Sequence, residues 1–375
     1  MTLTFNTLDN HIDTGWLLPS TSLKELGYNT TYFQIHNYLK HLKCPIKLSN
    51  SLGIVELSFF RRPDKTINNW YNNLNLDQKK LIKENPLLIS FCHEFWDCQF
   101  NVIENFCDSI NKKYEDVAVV VSNFDKLLSS RIKIIDASKG FLKWMSRLWF
   151  ETSINDQTYP FKKYTCLNGR PAKHRLEVIN FLGKYNLIND GLVSFGIGKS
   201  IGATFNRCYE FDGPIDSHTV KNMMLDWNIK DNYIEKYLPL IVDNDFKQSQ
   251  VNWSKFVDIE LITESFSNIE STYNEPKHGP FTEKTLRPIY NSQPFLVLCT
   301  DQTATYEKEL GYYIFDDLHD NTPESIVLAL KDLINSNIDL KNYKQKEVKN
   351  NKELFMYHSS HDISNIYTQI KEWIN

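Results

Sequence analysis

Seven cysteines (Cys44, Cys92, Cys98, Cys107, Cys166, Cys208, Cys299) are scattered along the chain without a single CxxC pair, so their spacing outlines neither a zinc ribbon nor a dithiol redox motif. Their odd number argues against a closed disulfide framework, and reduced, mostly buried thiols are expected. Long apolar runs are missing too. None approaches the roughly 18 residues that a membrane helix needs, and no membrane insertion is expected. Met1–Leu18 carries Asp9, His11 and Asp13 where a signal peptide would have a basic start and a continuous apolar core, which leaves the cytoplasm as the expected location. Charge of one sign is also lacking: 42 Lys and Arg stand against 46 Asp and Glu, a formal net charge of -4. No global basic field advertises nucleic acid. Ten histidines show no HExxH spacing, and no metal is expected.

What is present is enough apolar material for a full core. With 375 residues and 41% hydrophobic content, the chain has the length of two ordinary domains. Short apolar runs alternate with amphipathic stretches, as βα units do around parallel sheets. Candidate strands are Ile54–Ser58, Leu87–Phe91, Val117–Ser122, Ile132–Asp136, Lys163–Leu167, Leu192–Phe195, Phe256–Thr263, Pro294–Cys299 and Tyr312–Phe315. Helical spacing covers Asn101–Lys112, Ala137–Leu148, Pro171–Lys184, Glu283–Tyr290, Thr303–Leu310 and Pro323–Ser336. The aperiodic stretch Glu151–Pro160 predicts a linker. Ile363, Ile366, Tyr367, Ile370 and Trp373 share one helical face, so the last segment is expected to pack rather than extend into solvent. The division predicted is residues 1–155, residues 156–360, and a C-terminal helix at 361–375 that packs back on the domains.

Three segments carry groups suited to chemistry. In Tyr164–Arg175 a strand ends, a tight loop follows, and Pro171 suits the start of a helix. Arg170 and Arg175 can clamp phosphates in the bidentate manner of a guanidinium, with Lys173 and His174 as neighbours. In Phe281–Ile289 a second helix start carries Glu283 and Lys284, where unpaired backbone N–H groups and the macrodipole favour an anion. Lysine adds a mobile cation, and the carboxylate can take ribose hydroxyls. In the first half, Cys92–Asp97 follows a strand directly, and Glu94, Asp97 or His93 can act as a base. Asn123, Asp125 and Asp136 occupy equivalent edge positions.

The order Thr263-Glu264-Ser265-Phe266-Ser267-Asn268, then Phe281-Thr282-Glu283-Lys284, then Pro294-Phe295-Leu296-Val297-Leu298 and Tyr306-Glu307-Lys308-Glu309-Leu310 resembles the donor half of the α1,3-fucosyltransferases. The likeness covers Asp258–Asp316, about a sixth of the chain. A group of phage and bacterial glycosyltransferase-like proteins is similar over Tyr164–Asp317, including the Leu167-Asn168-Gly169-Arg170-Pro171 stretch. The resemblance implies an α/β protein of GT-B type, with two Rossmann-like domains whose parallel sheets face a central cleft. It implies a glycosyltransferase that moves a sugar from a nucleoside-diphosphate sugar, as co-substrate in place of any cofactor, to an acceptor hydroxyl. Glu283 would bind the donor ribose, Lys284 and Arg170 its phosphates, and Phe266 and Asn268 would line the nucleotide pocket. A glutamate after a first-domain strand tilts the choice of base to Glu94. The acceptor is a carbohydrate by default or, by the phage likeness, a hydroxymethylated DNA base reached through Arg61, Arg62, Lys139, Lys143 and Arg147. A non-catalytic nucleotide-binding or scaffold protein is the remaining alternative. Pro288 departs from the fucosyltransferase pattern, and a proline inside a helix costs about 3 kcal/mol.

Two other motifs lead away from these readings. Gly196-Ile197-Gly198-Lys199-Ser200 ends like a phosphate loop, but Val193 stands where its first glycine is required. Asp243-Asn244-Asp245 imitates a metal-binding DxD without the strand context such a site needs, and a solvated acidic turn is expected.

Overall fold

The computed structural model describes residues 2–6, 44–49, 53–59, 66–91, 98–121, 131–136, 158–169, 171–196, 200–203, 208–211, 215–240, 242, 251–264, 283–361 and 363–375. Elements are numbered among these residues. The chain divides into two compact units, residues 1–142 with 358–375, and residues 143–357.

Unit 1 is built on a six-stranded parallel sheet in the order β2-β1-β3-β4-β5-β6. Its strands are β1 (Leu3–Asn6), β2 (Ile46–Ser49), β3 (Ile54–Phe59), β4 (Leu87–Phe91), β5 (Val117–Val121) and β6 (Lys133–Asp136). Leu87, Leu88 and Ile89, like Val117, Ala118, Val119 and Val120, are buried consecutively. Unbroken apolar runs of this kind belong to strands covered on both faces. Helices α1 (Thr66–Asn73), α2 (Leu76–Glu84) and α3 (Cys98–Ser109) contribute Ile67, Tyr71, Ile82, Ile103 and Phe106 to the core beside Leu87, Ile89, Val117 and Val119. Asn75 and Gln78 close a reciprocal capping box at the start of α2. At its other end the buried Lys112 ammonium donates to the carbonyls of Lys83 (3.0 Å) and Asn85 (2.5 Å).

Parallel strands normally need a long crossover, yet β2 and β3 flank β1 with only residues 50–53 between them. The shortness is possible because β2 ends beside Asn6 while β3 begins beside Phe5. Gly53 adopts φ 136°, and a Cβ there would stand 2.6 Å from the Thr4 carbonyl oxygen, so only glycine fits.

Unit 2 holds a four-stranded parallel sheet in the order β12-β11-β7-β8. Its strands are β7 (Lys162–Asn168), β8 (Gly191–Phe195), β11 (Val257–Thr263) and β12 (Phe295–Leu298), and a separate antiparallel pair joins β9 (Ser200–Ala203) to β10 (Cys208–Phe211). The helices are α4 (Lys173–Lys184), α5 (Ser217–Asp226), α6 (Glu283–Asn291), α7 (Asp301–Glu309), α8 (Pro323–Asn335) and α9 (Gln345–His361), whose last four residues count with unit 1. Helix α8 starts in a capping box of Thr322 and Ser325, with Pro323 in its first turn, and packs on α4 and β12. After β8 the chain returns to the other side of β7 to form β11. Strand order therefore reverses between β7 and β11, and open α/β sheets bind ligands at the carboxyl ends of such a pair.

Both units are α/β with parallel sheets, as the sequence pattern predicts. One expected strand is corrected. Tyr312–Phe315 forms no strand: Phe315 is left-handed at φ 60°, and the Asn351 side chain takes both backbone groups of Tyr313, at 2.8 and 2.7 Å. A side-chain partner replaces the neighbouring strand that this apolar run would otherwise join. Pro288 lies inside α6 rather than ending it, and α4 begins at Lys173, two residues after Pro171. The final helix, α10 (Ile363–Ile374), belongs to unit 1. It packs on β6 and donates from Trp373 Nε1 to the Glu115 carbonyl (2.9 Å) and from Tyr367 Oη to that of Pro45 (3.2 Å). Ala137–Leu148, Asp243-Asn244-Asp245 and Arg61, Arg62, Lys139, Lys143 and Arg147 lie outside the described residues. No helix among the described residues is long and apolar enough to cross a membrane.

Candidate functional site

The reversal point of the unit 2 sheet is lined by polar side chains that no water reaches. Asn168 ends β7 and Thr263 ends β11, and both are buried. The Thr263 hydroxyl donates to Asn168 Oδ1, tying the two strand ends together. Asn168 is held further by Cys166 Sγ, which accepts from its Nδ2 (3.3 Å), and by the Gly196 amide, which donates to its carbonyl (2.8 Å). Buried polar groups persist only when satisfied in this way. Burial pushes the Cys166 thiol up to about 12, which makes it a packing residue rather than a nucleophile.

Glu264 follows β11 and is 1% exposed. Its amide donates to the Leu298 carbonyl at the end of β12 (2.9 Å). Its carbonyl meets His174 Nε2 (2.9 Å) and accepts from Arg175 Nη2 (3.0 Å), both in the first turn of α4. Its carboxylate accepts from the Thr285 hydroxyl (2.5 Å), in the first turn of α6. One residue thus touches β12, α4 and α6. The N-cap of α4 is Ala172, which supplies no side-chain cap.

Helix α6 is anchored a second time. Arg287 donates from Nε (3.0 Å) and from Nη2 to Glu260 Oε2, and both side chains are buried. Burial pulls the Glu260 carboxyl upward, opposed by that guanidinium. Glu307 on α7 is a second buried carboxyl in the same region. Its Oε1 has no hydrogen-bond partner, and burial, then the charge of Glu264, holds it well above the usual carboxylate range.

The sequence-predicted residues divide sharply. Glu94, His93, Asp97, Arg170, Phe266 and Asn268 lie outside the described residues. Glu283 is the first residue of α6, and Lys284, half-buried, is the second. Arg175 is buried with its guanidinium on the Glu264 carbonyl. The structure therefore brings Arg175 and the Glu283-Lys284 helix start onto a common residue. Sequence reasoning passed over that residue, and over Asn168, Thr285, Glu307 and the Glu260–Arg287 pair. One signal was available: Glu260 is a charge inside the otherwise apolar end of β11. Among the described residues no group of three or more His, Cys, Asp or Glu side chains can hold a metal ion.

Two anion-favouring helix starts registered on the carboxyl end of a central strand suit a phosphate-bearing ligand. Compared with known proteins, the chain matches no family model and no curated protein.

Proposed function

We propose that the chain is a nucleotide-sugar-dependent glycosyltransferase of GT-B type, in which unit 2 holds the nucleoside-diphosphate sugar and unit 1 presents a carbohydrate acceptor. The observation that carries this proposal is the meeting of the α4 and α6 first turns on Glu264, at the reversal point of a doubly wound sheet. On this reading Lys284 and Arg170 bind the diphosphate, Glu283 binds the ribose, and Phe266 and Asn268 line the nucleotide pocket. As the bond between the sugar and the diphosphate breaks, negative charge grows on the leaving oxygen, and preorganised cations and helix ends lower that barrier. The acceptor hydroxyl forms the new bond to the sugar carbon and passes its proton to Glu94, with His93 and Asp97 as the other candidate bases.

The test is a thermal-shift screen with UDP-, GDP-, CMP- and dTDP-sugars. A ligand at 100 times its dissociation constant stabilises by about 2.7 kcal/mol, a readily visible shift. Lys284→Ala and Arg170→Ala are each expected to weaken the bound donor about tenfold or more, since each removes a charge-assisted contact to phosphate. Donor binding that is absent, or unaltered in both variants, overturns the assignment.

A further inference from the structure

We propose that Glu264 is a positioning residue for the donor site, holding the α6 start at a set place relative to the α4 start so that the two together receive a diphosphate. This rests on the proposed function and deepens it. A residue at a strand end needs one backbone partner on each side to continue a sheet. Glu264 instead uses its amide on β12, its carbonyl on His174 and Arg175 of α4, and its carboxylate on Thr285 of α6. Lys284, the cation assigned to the phosphates, immediately precedes Thr285 in the first turn of α6. A shift of that turn therefore carries Lys284 with it. The buried Glu260–Arg287 pair holds the middle of α6 over β11, and Thr285–Glu264 holds its first turn. Supporting contacts of this kind set the precision of a site without touching the ligand.

The carbonyl and amide contacts survive any side-chain substitution, so the carboxylate arm can be cut alone. Thr285→Val removes the hydroxyl at nearly constant volume, and Glu264→Ala removes its acceptor. Glu264→Gln keeps an oxygen that can accept the same bond. Binding of UDP, GDP, CDP and dTDP is measured by calorimetry for the full chain and each variant, with thermal unfolding recorded alongside. Thr285→Val is expected to fold and to lose about tenfold in affinity for the diphosphate that the parent binds, the scale of one hydrogen bond to a charged group. Glu264→Gln is expected to retain most of the affinity. The double variant Glu264→Ala, Thr285→Val is expected to be no weaker than the worse single one, the mark of two groups acting through one contact. If the parent binds none of the four nucleotides, the proposed function fails and this inference with it. If the parent binds one and Thr285→Val binds it equally well, or the two losses add in full, the positioning role alone is overturned.

Discussion

A carboxyl group sealed from water without a partner for one of its oxygens makes stability depend on pH. Glu307 is 1% exposed, and burial and the neighbouring Glu264 charge raise its pKa. The folded state therefore binds a proton that the unfolded chain releases once pH passes the ordinary carboxylate range. Where the folded state binds more protons, stability falls as pH rises. The contribution is complete below that range and is lost progressively above it, by at most about 1.4 kcal/mol per pH unit. Glu307→Gln keeps the shape and removes the ionisation. Its melting temperature is expected to match the parent near pH 4 and to exceed it increasingly towards pH 8. Parallel curves for the two proteins across that interval would contradict a neutral Glu307. The Glu260 carboxylate, by contrast, has its own cation in Arg287, and the difference between the two groups lies in that partner.

At the scale of elements, close packing between neighbouring strands leaves places where one methyl group does not fit. Gly191 opens β8 beside Tyr164 of β7. A Cβ on Gly191 would stand 2.4 Å from Tyr164 Cζ, and the buried Tyr164 hydroxyl is committed to the Leu187 carbonyl at 2.9 Å. Gly191→Ala is expected to destabilise unit 2 by about 1–3 kcal/mol, the usual cost of overpacking, as read from urea unfolding. An unchanged midpoint would mean that the ring moves freely. The same strands show what was legible beforehand. Ile54, Leu87, Val117 and Phe295 each lie in an apolar run long enough to declare a buried strand. Strands β1 (LTFN), β2 (IKLS), β9 (SIGA) and β10 (CYEF) have four residues each. Such pieces are too short for any period to emerge, and pairing alone makes them strands. Tyr312–Phe315 fails in the opposite sense, because Asn351, distant in sequence, takes its backbone. Of the site, Arg175 and the Glu283-Lys284 start were legible as charges at helix starts. Glu264 was not, because its meaning comes from His174, 90 residues earlier, and Thr285, 21 residues later.

For the whole molecule, the decisive fact is that unit 1 is discontinuous: residues 1–142 are completed by 358–375 after all of unit 2 has been traversed. Helix α10 makes that return count, since Ile366 and Ile370 are fully buried and hydrogen bonds from Tyr367 and Trp373 reach Pro45, before β2, and Glu115, before β5. Both acceptors lie on the amino edge of the sheet, away from the strand ends where α/β sheets bind ligands, so the helix serves stability. Ile370→Ala opens a cavity expected to cost about 2–5 kcal/mol. The cavity opens among residues of unit 1, so the loss is expected there. Hydrogen exchange should accelerate in peptides covering β5 and β6 and stay at parent rates in those covering β7 and β11. Equal acceleration in both sets would show that the two units unfold as one cooperative body, whereas selective loss in β5 and β6 makes the C-terminal helix the closing element of the first unit.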